Sequence, residues 1–281
     1  MEIRYLSHEE KEDSRALYEE IFVEDEEAFV DAYYQIKAAD NQILAVVEEG
    51  NILAMLHRNP YTFRFCGACV QADYLVAVAT KVQYRHQGLM RQLLTKALGD
   101  MKREQQPFAF LMPADEAIYL PFDFRLMGNE DEEGLASLEE NQLAEEYDLY
   151  IEKDASYQRR HIHWPEWETT PMMMRLVHLP AFMAQIGAKE EQSLVLAITD
   201  PILEENQGTF QWEFTAESSR LLPSKKEPEL SVSIADLGSF LCGMLGPKEL
   251  IETCTEEKRA EVHEKLSLIR VLEGIYINET V

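Results

Sequence analysis

The sequence predicts a mixed α+β fold in two units. Three observations predict it. Strand-length apolar alternations are interleaved with 3.6-residue helical patterns through the first 125 residues, an acidic stretch follows Gly128, and the same kind of interleaving restarts at Met172. The chain has 281 residues, of which 46% are hydrophobic and 10% aromatic, enough for packed cores in two domains of ordinary size. The expected division is a catalytic-size unit over 1–128, a solvated helical connector over 129–168, and a smaller α+β unit over 169–281.

Taken in order, Glu2 to Leu6 has the alternation of a strand, and Ser7 with Glu10 forms a capping box ahead of a helix through Ile21. A second helix is expected over Glu26 to Ile36. Ile43 to Val47 and Ile52 to Leu56 flank Glu49-Gly50-Asn51, a hairpin signal. Two further strands are expected at Tyr61 to Phe65 and Asp73 to Ala79. Leu89, Leu93, Leu94, Ala97, Leu98 and Met101 recur at helical spacing, and Pro107 to Leu111 reads as a short buried strand. Tyr147 to Trp167, with Arg159, Arg160, His161 and His163 among its aromatics, is expected to pack between the units. Beyond it, Met172 to Val177 is expected as the first strand of the second unit. A helix over Leu179 to Ile186, strands over Ser193 to Thr199, Thr209 to Thr215 and Leu230 to Ile234, and helices over Ala235 to Leu245 and Glu257 to Leu268 follow.

Lys and Arg number 26 against 52 Asp and Glu, so the net charge is 26 − 52 = −26. Charge of that sign repels nucleic-acid backbones and anionic lipid, which leaves no expected nucleic-acid or membrane partner and favours a cationic one. No apolar run approaches the roughly 20 residues that span a bilayer, and MEIRYLSHEEKEDS lacks the form of a signal peptide. A cytoplasmic location is expected. Cys66, Cys69, Cys242 and Cys254 are read as reduced thiols. Cys66-Gly67-Ala68-Cys69 lacks the second pair that a zinc site needs, so no metal is expected and this segment reads as a hairpin connection.

The chemistry sits in YLVAVATKVQYRHQGLMRQLL, Tyr74 to Leu94. A strand ends, a loop carries Arg85 and Gly88, and a helix begins. Backbone N–H groups at a helix start bind anions, and a glycine there lets a pyrophosphate approach the backbone. This segment resembles the acetyl-CoA motif of the GNAT acetyltransferase family, which is Arg or Gln, two residues, Gly, one residue, then Gly or Ala. Arg85-His86-Gln87-Gly88-Leu89-Met90 fits it, with Met90 in place of the last small residue. The resemblance implies acetyl-CoA as cosubstrate. Its pantetheine arm would lie on Val78, Ala79 and Thr80, and its pyrophosphate on the backbone from Arg85 to Arg91. AIYLPFDF, Ala117 to Phe124, resembles the segment that carries the family's general acid, which would be Tyr119. From the residues alone, a core tyrosine is an equal reading.

Met173 to Phe182, Ser231 to Phe240 and YINETV at the end resemble the enhanced intracellular survival branch of these enzymes, which closes in a sterol carrier protein-like domain. The resemblance implies that the terminal carboxylate of Val281 enters the active site as general base. A frayed end is the competing reading. It also implies that the acceptor is a primary amine, on a cationic small molecule or a lysine, and it allows a homo-oligomer. Phe22, Glu24, Asp25, Tyr33 and Tyr34 are the expected acceptor-side residues, the carboxylates attracting the cation and the rings walling the pocket. The reading from another class is an inactive acetyltransferase fold whose carrier-like half binds an apolar ligand.

Overall fold

A computed structural model describes residues 1–128, 140–162, 171–254, 256–277 and Glu279. The acidic run at 129–139, His163, Trp164, Trp167 and Val281 lie outside the described residues. The first strand β1 (Glu2–Tyr5) leads through a 3₁₀ turn into α1 (Arg15–Ile21) and then α2 (Glu27–Tyr33), which widens into a π-helical turn over Tyr34–Ala38. The expected capping box is half made. Glu10 accepts the Ser7 N–H at 2.9 Å and is held from the other side by Arg4 at 2.6 Å.

Strands β2 (Gln42–Glu48), β3 (Asn51–Phe65) and β4 (Ala68–Thr80) form an antiparallel meander, followed by α3 (Leu89–Arg103), β5 (Phe108–Leu111), α4 (Glu116–Tyr119) and β6 (Arg125–Leu126). Tyr61 to Phe65 is therefore no separate strand. It continues β3 through Arg58-Asn59-Pro60, whose polar side chains face buried partners. Arg58 Nε donates to Asp73 at 2.7 Å, and Pro60 sits opposite Asp73. The turn expected at Cys66-Gly67 has positive φ at both residues, 46° and 83°, the geometry of a tight hairpin.

After α5 (Glu140–Glu146) come β7 (Leu149–Ile151), α6 (Ala155–Arg160) and β8 (Met173–Leu176). The strand expected at Met172 to Val177 forms, but in the first sheet. β8 runs antiparallel to both β5 and β6, because Met173 and Met174 pair across the buried Phe110 and Leu111. The second unit is α7 (Leu179–Met183), β9 (Gln192–Thr199), β10 (Gly208–Phe214), β11 (Ser219–Pro223), β12 (Leu230–Ser233), α8 (Ile234–Leu241), α9 (Pro247–Leu250) and α10 (Glu256–Leu268). The chain then returns to the first sheet as β13 (Ile275–Tyr276) beside β7. The first sheet has nine strands in the order β1-β2-β3-β4-β5-β8-β6, with β7 against the far half of β3, and the second has four in the order β11-β10-β9-β12.

The two units share one apolar core. Phe182 on α7 packs edge to face on Phe65 of β3 at 4.8 Å between centroids, and Phe108 fills the space beside them. Each buried Phe contributes about 1.5–3 kcal/mol, so this interface resembles a domain interior more than a hinge.

Candidate active site

The site is the gap left where two parallel strands part. β4 and β5 are paired at Asp73↔Ala109 and Tyr74↔Phe110, after which β4 runs on to Thr80 while β5 ends at Leu111. The separation has a local cause. Between His57↔Val76 and Met55↔Ala79 the β3–β4 register shifts, and Ala77 takes φ +49°, a bulge that bends β4 away from its neighbour. A bulge of this kind takes backbone N–H and C=O groups out of the ladder, here at Ala77 and Val78, while Ala79 and Thr80 stay paired with Met55 and Ala54 of β3.

A cleft of about 740 Å³ occupies the gap. Val78, Ala79 and Thr80 line one side, Arg85, His86, Gly88, Leu89, Met90 and Arg91 the next, Ile118, Tyr119 and Phe122 the third, and Ile21 and Phe22 the last. Of the motif residues only Gln87 is absent from the lining, and it folds back toward the Gln83 carbonyl at 3.4 Å.

The loop before α3 is built to expose backbone donors. His86 and Gly88 have φ of +61° and +76°, and Gly88 is the N-cap of α3 with no side chain capping the helix. The first bond at this end runs from Gln92 N–H to Gly88 C=O at 3.1 Å, leaving the N–H groups of Leu89, Met90 and Arg91 without intrahelical acceptors. Helix dipole and free donors together make an anion cradle. Arg85 and Arg91 supply the formal charge at its rim, and Arg91 is held over the Phe122 ring at 4.8 Å.

Tyr119 closes α4, whose N-terminus is fixed by Asp115 accepting the Ala117 N–H at 2.9 Å. Its ring is buried at 7% exposure against Phe124, and its hydroxyl has no hydrogen bond among the described residues. Burial pushes the phenol up to about 12. It is therefore protonated at neutral pH, with its donor unspent, on the wall of the cleft.

The acceptor-side expectations divide. Phe22 lines the cleft and Glu24, two residues on, is exposed and outside its lining, whereas the Asp25 carboxylate accepts the Tyr18 hydroxyl at 2.7 Å. Tyr33 and Tyr34 are corrected from pocket wall to core. They are 1% and 6% exposed, they pack on Tyr18 and on each other, and Tyr33 OH lies 2.8 Å from His57 Nδ1. They lie on the buried face of the helix with Phe29, Val30, Lys37 and Ala38, while Glu27, Ala28, Asp31 and Gln35 face solvent.

That cluster makes a measurable prediction. Burial pushes His57 down from 6.5 to about 3, with the Lys11 charge adding to the effect. The depressed folded value means that the neutral ring's contribution is full above pH 6.5 and lost as the pH falls below it. Unfolding free energy is expected to drop by up to about 1.4 kcal/mol per pH unit between pH 6.5 and 5 through this one group, a slope absent in His57→Gln. Identical slopes in denaturant titrations of the two proteins would count against it.

Against Tyr61 of β3 lies a group that the sequence did not single out. Glu279 is 4% exposed, with Oε1 3.3 Å from Lys37 Nζ, and Lys37 donates to the Tyr61 hydroxyl at 2.8 Å. Its only sequence signal is a lone acid after the apolar Ile275, Tyr276 and Ile277. Among the described residues no cluster of His, Cys, Asp or Glu could hold a metal ion, and no helix is long and apolar enough to cross a membrane.

Residues 2–127 match the family model of the GNAT acetyltransferase domain, and residues 179–270 match that of the sterol carrier protein domain. No curated protein matches the sequence. Among solved structures, a protein from Enterococcus faecalis described as a probable N-acyltransferase superposes with a TM-score of 0.73 at 12% identity, over 98% of this chain and 99% of that one. A GCN5-related N-acetyltransferase from Kribbella flavida gives 0.70 at 14%, over 100% and 98%. Eis1 from Mycobacterium abscessus gives 0.64 at 14%, over 96% and 94%. At such identities these structures speak for the fold, which they share along the whole chain. Two domain models thus account for most of the chain, residues 2–127 matching the GNAT acetyltransferase domain and residues 179–270 the sterol carrier protein domain.

Proposed function

We propose that the protein moves the acetyl group of acetyl-CoA directly onto a primary amine of a cationic acceptor, a small molecule or a lysine side chain. The observation that carries this reading is the convergence of three parts on one cleft: the open edge of β4, the uncapped start of α3, and the unspent Tyr119 hydroxyl. Acetyl-CoA lies with its pantetheine arm along Val78 to Thr80 and its pyrophosphate on the N–H groups from Gly88 to Arg91. The amine enters past Phe22, where Glu24 and the overall charge of −26 favour its approach.

An ammonium must first lose a proton, which passes to the carboxylate of a chain ending at Val281. The nitrogen then attacks the thioester carbon, the oxyanion takes a hydrogen bond from the backbone near the β4 bulge, and the C–N bond forms as the C–S bond breaks. Tyr119 gives its proton to the departing sulfur, and the second proton that the nitrogen sheds on becoming an amide restores the phenol. Support for the tail's part is the burial of Glu279, two residues before Val281, against the sheet that carries the cleft.

Calorimetric titration with acetyl-CoA tests the reading without choosing an acceptor. Saturable binding is expected, weakened at least about tenfold in Gly88→Val, because a β-branched residue is strained at φ +76° and its methyls occupy the phosphate's approach. Wild-type protein that takes up no acetyl-CoA would overturn it.

A further inference from the structure

The buried pair of Lys37 and Glu279 has no part in the acetyl-CoA cradle, yet it is the most heavily desolvated contact of the chain end. Lys37 is 2% exposed and comes from the π-helical turn, which rotates it inward along with Tyr34 and Ala38. Single π turns recur where a side chain must be re-aimed, at the expense of regular helix bonding. Around the Glu279 carboxylate stand Tyr61, Tyr74 and Tyr157, each made a weaker acid by burial first and by the Glu279 charge second. Tyr61, which Lys37 holds, packs on Tyr74 with ring centroids 6.2 Å apart, and Tyr74 stands at the last paired position of β4 and β5 before the strands part around the cleft. Glu279 Oε2 is buried with no partner among the described residues.

Such a pair is a poor stabiliser. Removing an ammonium and a carboxylate from water offsets most of their attraction, and two apolar side chains would hold a tail as firmly. What an ion pair adds is position, because Glu279 meets Lys37 and Tyr61 in one register only. We infer that Lys37 and Glu279 form a clamp that fixes the chain's end beside the active cleft, making both of them positioning residues. Two residues reach at most about 7 Å, so a clamp at Glu279 limits the range open to the residues after it. The catalytic consequence rests on the proposed role of the Val281 carboxylate; the clamp itself does not.

Carboxypeptidase digestion of the full-length chain, followed by mass spectrometry, reads the clamp directly. The wild type is expected to lose its last residues slowly, and Glu279→Gln and Lys37→Met at least about tenfold faster, as for a tail that opens locally more often. In both variants the acetyl-CoA titration should match the wild type, with kcat lowered and KM for acetyl-CoA unchanged. Glu279→Gln alters only the tail, so it keeps the test valid if Lys37→Met fails to fold. Equal trimming of wild type and Glu279→Gln overturns the clamp. A chain extended beyond Val281 separates the two ideas. If the extended enzyme turns over normally while Glu279→Gln frees the tail, the carboxylate base is wrong and the clamp stands. If extension stops turnover and Glu279→Gln neither frees the tail nor slows the enzyme, the clamp is wrong and the base stands.

Discussion

Tyr119→Phe is expected to lower kcat by about 10²- to 10⁴-fold, the span typical of losing a positioned general acid, while acetyl-CoA binds as before. The change removes one oxygen from a ring 7% exposed and packed on Phe124, so neither the cleft's shape nor the fold has reason to alter. The pH profile carries more information than the rate. With the phenol pushed up to about 12 by burial, the acid stays protonated across the whole working range. Wild-type kcat should show no alkaline decline near pH 10, where an exposed tyrosine would titrate. A phenol this weak would be mismatched to a thiolate in water, since a thiol titrates near 8.5. The same desolvation acts on a thiolate formed against Tyr119 and raises its proton affinity too, which narrows the gap. Wild-type turnover in Tyr119→Phe, with acetyl-CoA still bound, would take the acid assignment away.

The parts of the site that lie close in sequence were legible, because their signals are local. Gly88 after Arg85, followed by Leu89, Leu93 and Ala97 one helical turn apart in α3, is enough to place a backbone cradle. Cys66-Gly67 is enough to place the β3–β4 turn. What stayed hidden depends on partners far along the chain. Arg58-Asn59-Pro60 reads as a break between strands, yet Arg58 is buried inside β3 because Asp73 and Glu104 neutralise it from 15 and 46 residues away. Met173 to Leu176 reads correctly as a strand, but its apolar run has no feature that says which sheet will take it. The Ala77 bulge, which opens the cleft, has no residue signature, since alanine is an ordinary strand residue there. Lys37 and Glu279 are 242 residues apart, and each alone is an unremarked charge. Tyr33 and Tyr34 were misplaced for the same reason: their partners, Ser14 and His57, lie on other elements.

Arg175 shows what the second unit does for the first. It stands on β8 at 1% exposure, and its guanidinium is divided among three elements. Nε donates to the Phe122 carbonyl at 2.9 Å, Nη1 to the Leu176 carbonyl at 2.7 Å, and Nη2 to Asp200 at 2.6 Å. Asp200, itself fully buried at the end of β9, also accepts the Ile202 and Leu203 N–H groups and the Asn206 amide. The carrier-like unit therefore grips an arginine that grips the turn three residues beyond Tyr119. Arg175→Met is expected to cost about 3–5 kcal/mol, because it strands a buried carboxylate and leaves the Phe122 carbonyl without its donor. For a chain of this length that lowers Tm by roughly 10 °C. Asp200→Asn should cost less, since its remaining oxygen still accepts backbone donors. In a double-mutant cycle, Arg175→Met with Asp200→Leu should recover part of the loss, but not all of it, because Leu cannot accept from Leu203. Acetyl-CoA affinity of Arg175→Met, measured well below its Tm, should also fall, since Phe122 carries one wall of the cleft and the stacking partner of Arg91. Wild-type stability in Arg175→Met would mean that the shared apolar core holds the units together without the arginine. A stability loss with unchanged affinity would mean that the carrier-like unit supports the fold without shaping the active cleft.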